Sequence, residues 1–230
     1  MIIKGLQKFT LIDYPGKLAC TIFTFGCNFR CPYCQNPELI IDDGRPSISK
    51  AWILNFLYQR RDFLNGVCIT GGEPTIHPEL LEFIRELKRL GYNVKVDTNG
   101  FNPELINQML QSKLVNFIAM DVKAPLEKYN EVVKVDVKKD SIRESIKIIM
   151  EKASEYEFRL TAVPGLINEE DLHKIGEIVE GAEKMYIQQF RAEKTLDERF
   201  KGIKPFTKEK LLKFRDILKD YVNFCDVRGV

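Results

Sequence analysis

The chain has no apolar run approaching the roughly 20 residues that a membrane-spanning helix requires, so no membrane span is expected among its 230 residues. Nor is there a surplus of one charge. With 35 Lys and Arg against 33 Asp and Glu, the net charge of +2 gives no electrostatic footprint for a nucleic acid or a membrane surface. Low-complexity segments, internal repeats and flexible linkers are missing too, which predicts a single domain over residues 1–230. Met1-Ile2-Ile3-Lys4 lacks the anatomy of a secretion signal, so a cytoplasmic location is expected. Only two histidines occur, His77 and His173, each isolated beside or inside a helical stretch, and both read as solvated or structural.

What the sequence does have is a crowded group of cysteines. Three of its six fall in the segment 26–37, at Cys27, Cys31 and Cys34, after an apolar run from Leu18 to Phe25 that reads as a strand. A tight loop at the end of a strand thus carries three thiols. A four-iron cluster held by three cysteines keeps one iron without a protein ligand, open to a small molecule. Two plainer readings stand beside it. A structural zinc ion takes four protein ligands, and Cys20, Cys68 or Cys225 would have to supply the fourth. Cys31-Pro32-Tyr33-Cys34 also has the spacing of a redox disulfide, which leaves Cys27 unexplained. Cys20, Cys68 and Cys225 lie in apolar, strand-like runs and read as small buried hydrophobes.

Elsewhere strand-like and helix-like stretches alternate. Helical spacing covers Ser49 to Leu64, with Trp52, Ile53, Phe56, Leu57 and Phe63 as the apolar positions, then 78–90, 103–111, 138–155, 168–181 and 207–221. Strands are predicted over 66–70, 92–96, 114–121, 158–163, 184–189 and 223–227, and 123–139 reads as an irregular loop or lid. About six such alternations predict an α/β fold with a parallel sheet and outer helices. A closed eight-unit barrel takes about 250 residues. This length therefore suits a partial, TIM-like (β/α)6 barrel, open on one side.

In parallel barrels, ligand sites form at the C-terminal ends of the strands. The cysteine loop, Gly71-Gly72-Glu73-Pro74, Asp97-Thr98-Asn99-Gly100, Asp121-Val122-Lys123 and Val163-Pro164-Gly165 all fall on that rim. The cysteine spacing, the aromatic Tyr33 before the last cysteine, and Gly-Gly-Glu-Pro at the end of another strand together resemble the radical S-adenosylmethionine (SAM) superfamily. Gly5-Leu6-Gln7-Lys8 and Leu11-Ile12-Asp13-Tyr14-Pro15-Gly16-Lys17 add a likeness to its glycyl-radical-enzyme activase branch, represented by the activating enzymes of pyruvate formate-lyase and anaerobic ribonucleotide reductase. The resemblance runs to about Phe190 and is weak over 190–230.

That resemblance implies the following. Cys27, Cys31 and Cys34 hold a [4Fe-4S] cluster whose open iron is chelated by SAM. Gly71 and Gly72 present bare backbone to the ligand, and Glu73 accepts from its ammonium group. Tyr33 packs against the adenine, Asn99 binds a ribose hydroxyl or carboxylate, and Lys123 and Arg159 contact the SAM carboxylate. Asp97, Thr98 and Asp121 resemble a monovalent-cation site. Asp13 and Gly16 lie near a peptide opening, where the family's Asp-Gly-Pro-Gly segment has glycine in place of Tyr14. The implied activity is reductive cleavage of SAM to a 5′-deoxyadenosyl radical, which takes hydrogen from a glycine of a partner glycyl-radical enzyme, with electrons from a flavodoxin or ferredoxin. A radical SAM enzyme acting on a small molecule or modified nucleoside, and a non-catalytic metal-binding module, are the alternatives.

Overall fold

A computed structural model describes residues 1–230. Eight strands form one sheet in sequence order: β1 (Ile3–Thr10), β2 (Ala19–Thr24), β3 (Gly66–Gly71), β4 (Asn93–Thr98), β5 (Phe117–Asp121), β6 (Tyr156–Ala162), β7 (Met185–Gln189) and β8 (Cys225–Arg228). Strands β2 to β8 run parallel, and β1 is antiparallel to β2. Six crossovers join the seven parallel strands, so the six expected βα units are present. β1 and β8 stand at opposite ends of the strand order and do not pair, which makes the barrel a partial one.

The crossovers carry α1 (Lys50–Arg60), α2 (Leu80–Arg89), α3 (Pro103–Gln111), α4 (Tyr129–Val133) with α5 (Lys139–Lys152), α6 (Glu169–Ile178) and α7 (Lys208–Leu218). Their starts follow local chemistry. Ser49 and Thr207 cap α1 and α7 through their side-chain oxygens, and Asn168 with Asp171 forms a reciprocal capping box on α6. Alternate strand residues such as Val67, Ile69, Val94, Val96, Ile118, Met120, Phe158 and Leu160 are fully buried in the main hydrophobic core with Ile53, Ile84, Ile106, Ile149 and Ile175 of the helices. Strand side chains alternate between faces, so residues between them, including Cys68, Lys95, Asp97, Asp121, Glu157, Arg159 and Thr161, share the opposite face.

Three sequence expectations change. β1 is not among the predicted strands, because Ile3–Thr10 mixes buried, half-buried and exposed positions without a two-residue period. The predicted irregular loop 123–139 contains α4, ended by Lys134 in the left-handed region at φ 57°. On α1 only Ile53 and Leu57 are buried and Trp52 is 46% exposed, whereas Phe63 lies beyond the helix and is 67% exposed.

The sheet is closed off where the strands begin. Tyr14, 1% exposed, forms a small buried cluster with Ala19, Phe117 and Ala119, and its ring meets Phe117 edge-on at 6.1 Å. A Cβ on Gly66 would stand 2.8 Å from the Tyr14 ring, so the first residue of β3 leaves room for that ring.

Candidate active site

All of the side chains that the sequence assigned to cluster and SAM line one cavity of about 240 Å³ at the C-terminal ends of the strands: Cys27, Cys31, Cys34, Tyr33, Gly71, Gly72, Glu73, Asn99, Lys123 and Arg159. Asp97, Thr98 and Asp121 line it too. Asp13 lines a second cavity of about 580 Å³, which shares Gln35, Asp97, Arg159, Thr161 and Gln188 with the first and reaches Ile12 at one sheet end and Arg228 and Gly229 at the other. Gly16 lines neither cavity. It forms an exposed turn at φ 69°, next to Pro15, which lines the second cavity.

The cysteine loop is held from four sides. The Gly26 N–H donates to the Leu39 carbonyl at 2.7 Å and the Glu73 N–H donates to the Gly26 carbonyl at 2.8 Å. Arg30 N donates to Val133 O of α4 at 2.9 Å, and Asp197 N donates to Pro32 O at 2.9 Å. The segment beyond Phe190, where only a weak resemblance is expected, therefore straps the loop, and nothing in its sequence pattern pointed there.

Cys20, Cys68 and Cys225 are buried and line neither cavity, so none offers the fourth ligand that a zinc reading needs. Burial pushes the Cys27 thiol up to about 12, with the Glu73 charge adding to it, and the Cys31 thiol up to about 11. Metal ligation must therefore displace these protons. The Phe29 N–H already points at Cys27 Sγ from 3.3 Å.

Gly71 and Gly72 do more than bare the backbone. Gly71 has φ 126°, and a Cβ there would lie 2.4 Å from Thr24 backbone atoms. A Cβ on Gly72 would lie 1.9 Å from the Gly26 oxygen. Only glycine lets the two loops approach this closely. The Gly72 N–H is used inside the protein, donating to Thr24 O at 2.9 Å.

Glu73 is 1% exposed. Its Oε1 accepts from Thr75 N at 3.1 Å, Thr75 Oγ1 at 2.5 Å and Thr98 Oγ1 at 2.7 Å, and its Oε2 accepts from Asn99 N at 2.6 Å. Burial nevertheless raises its pKa against those bonds. The carboxylate thus ties the third rim loop to the second and keeps acceptor capacity on Oε2.

The three residues expected at a monovalent cation are engaged by protein groups in this structure. Arg159 joins both carboxylates, donating from Nη1 to Asp97 at 3.0 Å and from Nε to Asp121 at 2.9 Å. Lys123 takes the other Asp121 oxygen at 2.9 Å, Lys95 pairs with Asp97, and the Thr98 hydroxyl is turned to Glu73. No three Asp, Glu, His or Cys side chains converge on a point that would hold one metal ion. The register of β5 and β6 sets Asp121 directly opposite Arg159. Burial would raise both aspartates, but Arg159 and the neighbouring lysines overcome it and hold them below the usual carboxylate range. Of these cations Lys123 and Arg159 line the first cavity, and Lys95 lines only the second.

The Tyr33 ring is buried in the cavity wall, and its hydroxyl has no hydrogen-bond partner. An orphaned hydroxyl in a cavity also lined by three cysteines marks the wall as incomplete without a ligand. The family model for the radical SAM superfamily matches residues 21–181. The chain belongs to the radical SAM superfamily. Radical SAM enzymes use a [4Fe-4S] cluster and SAM, and the three cysteines and the orphaned donor that line one cavity fit that pair. A protein of Methanocaldococcus jannaschii provisionally named a glycyl-radical enzyme activating enzyme is 33% identical over the full chain and 96% of its own length. The 7-carboxy-7-deazaguanine synthase of Aquifex aeolicus is 39% identical, over a third of each chain. Among solved structures, a domain of the pyruvate-formate lyase-activating enzyme of Bacteroides vulgatus superposes with a TM-score of 0.57 at 20% identity, covering 72% of this chain and 99% of that one, a likeness of fold.

Proposed function

We propose that this radical SAM enzyme is a glycyl-radical-enzyme activase, in which hydrogen is taken from a backbone glycine of a partner protein of the anaerobic ribonucleotide reductase or pyruvate formate-lyase type. The full-length likeness to the M. jannaschii relative supports the reading. The observation that carries it is the second cavity, which joins the first at Gln35, Thr161 and Gln188 and continues to the gap between β1 and β8. An extended segment of a protein has a way in.

When bound, the cluster and SAM supply a one-electron cleavage that yields a 5′-deoxyadenosyl radical. The chain's own part is to position and to enclose. Cys27, Cys31 and Cys34 are the cluster ligands in this reading, Glu73 Oε2 receives the ammonium group of SAM, and the Lys123 and Arg159 wall faces its carboxylate. Tyr33 flanks the adenine. Asp13, anchored by the Thr21 hydroxyl at 2.6 Å, faces the incoming segment across the second cavity. The electron donor is an external flavodoxin or ferredoxin.

Anaerobic mixing with SAM, a reductant and a candidate glycyl-radical protein tests the proposal. A glycine-centred EPR doublet on the partner is expected. SAM cleavage to 5′-deoxyadenosine with no protein radical, across candidate partners, overturns it. It would favour a small-molecule substrate, a reading to which the deazaguanine synthase match and the polar second cavity lend weight.

A further inference from the structure

Two asparagines beside Cys27 are arranged in a way that has a cost. The Phe101 N–H donates to Asn99 Oδ1 at 3.0 Å, which fixes the orientation of that carboxamide and makes its Nδ2 the donor. Asn99 Nδ2 in turn donates to Asn28 Oδ1 at 2.8 Å. A backbone N–H that cannot turn thus sets the Asn99 amide directly and the Asn28 amide through it. Asn28 Nδ2 is left buried with no partner. An unmet buried donor of this kind costs about 1–3 kcal/mol, and an orphan beside a functional site calls for a reason.

The reason lies 4.0 Å away. Asn99 Nδ2 carries two hydrogens; one serves Asn28, and Cys27 Sγ lies 4.0 Å from the same nitrogen, the outer reach of a hydrogen bond to sulfur. The Phe29 N–H approaches the same sulfur at 3.3 Å. The Cys27 thiol itself donates to Asn28 Oδ1 at 3.9 Å, a bond lost once Cys27 binds metal and gives up its proton. The sulfur is then purely an acceptor, and the Asn99 and Phe29 N–H groups favour the added negative charge. Hydrogen bonds to the sulfurs are among the features that set the potential of an iron–sulfur cluster.

The geometry points to Asn28 as a positioning residue that clamps the Asn99 amide against the Cys27 sulfur and thereby raises the reduction potential of the cluster. This rests on cluster ligation by Cys27 and not on the identity of the substrate. Its failure is therefore distinct from failure of the activase reading.

Potentiometric titration of the anaerobically reconstituted chain tests it without any partner protein. Asn28→Leu is expected to disfavour one-electron reduction about tenfold, a shift of about 59 mV to lower potential. Asn99→Leu is expected to shift it in the same direction by a similar amount. The double variant should lie at the Asn99→Leu value, because the first residue acts through the second. Additive shifts, or an Asn28→Leu potential equal to that of the parent at equal iron content, overturn the proposal. Should the variants fail to load, the parent protein with 15N in its asparagine side chains decides: pulsed EPR of the reduced cluster should detect a coupled side-chain amide nitrogen, and its absence rejects the contact.

Discussion

Gly72 lies so close to Gly26 that a Cβ on it would stand 1.9 Å from the Gly26 carbonyl oxygen. The two glycines lock the second rim loop onto the cysteine loop, and the Glu73 N–H to Gly26 O bond closes the contact. Gly72→Ala pushes backbone against backbone, where no side chain can give. Overpacking of this kind costs about 1–3 kcal/mol. Iron content after reconstitution should fall well below the parent's while the far-UV CD spectrum is kept; full iron loading would show that the loops tolerate separation.

Glu73 stabilises the rim before any ligand arrives. A neutral amide cannot accept on both of its ends, so Glu73→Gln leaves either the Asn99 N–H or the Thr75 and Thr98 donors unmet. Denaturant unfolding of the cluster-free protein should show a loss of about 1–3 kcal/mol. In the loaded protein, SAM affinity should fall by about 1.5–3 kcal/mol, the worth of a hydrogen bond to a charged group. Unchanged SAM binding in a titration would remove Glu73 from the ligand's partners.

Arg159 neutralises two buried carboxylates at once. Arg159→Leu leaves Asp97 with Lys95 and Asp121 with Lys123, and breaking a buried ion pair from one side costs about 3–5 kcal/mol. The pH dependence has a definite sign. Asp97 and Asp121 have folded pKa values below their unfolded ones. Their contribution is therefore present above the unfolded carboxylate range, about 3.9, and is lost as pH falls through the folded values. The difference in stability between parent and Arg159→Leu should be largest near neutrality and shrink in acid. A difference independent of pH would mean that packing, and not charge, is what the arginine provides.

Tyr14 marks where this chain departs from the family's Asp-Gly-Pro-Gly segment. Tyr14→Gly, which makes that segment match, removes a buried ring from the barrel floor. A loss of about 3–5 kcal/mol is expected, as for other large aromatic truncations, measured by urea unfolding. A loss below 1 kcal/mol would mean that the floor refills itself.

The cysteine loop and the alternation of strands and helices were legible because both are local. Three thiols within eight residues need no tertiary information, and the crossover helices announce themselves by apolar spacing and by caps such as Ser49, Asn168 and Thr207. Relations across the sheet were not legible. The ion pairs of Arg159 with Asp97 and Asp121 span 62 and 38 residues and join side chains from three strands. Lys95, only 2% exposed in the middle of β4, reads in sequence as a solvated residue between two valines. The strap through Asp197 and the pairing of β1 likewise depend on contacts that no period in the sequence encodes.

Whether three thiolates hold an iron–sulfur cube with one open corner is tested most directly by metal and sulfide analysis after anaerobic reconstitution, joined to EPR of the reduced protein with and without SAM. The expected result is about four irons and four sulfides per chain, with a signal that changes when SAM is added and is lost in Cys31→Ala. One zinc ion per chain, or an iron signal indifferent to SAM, would contradict it.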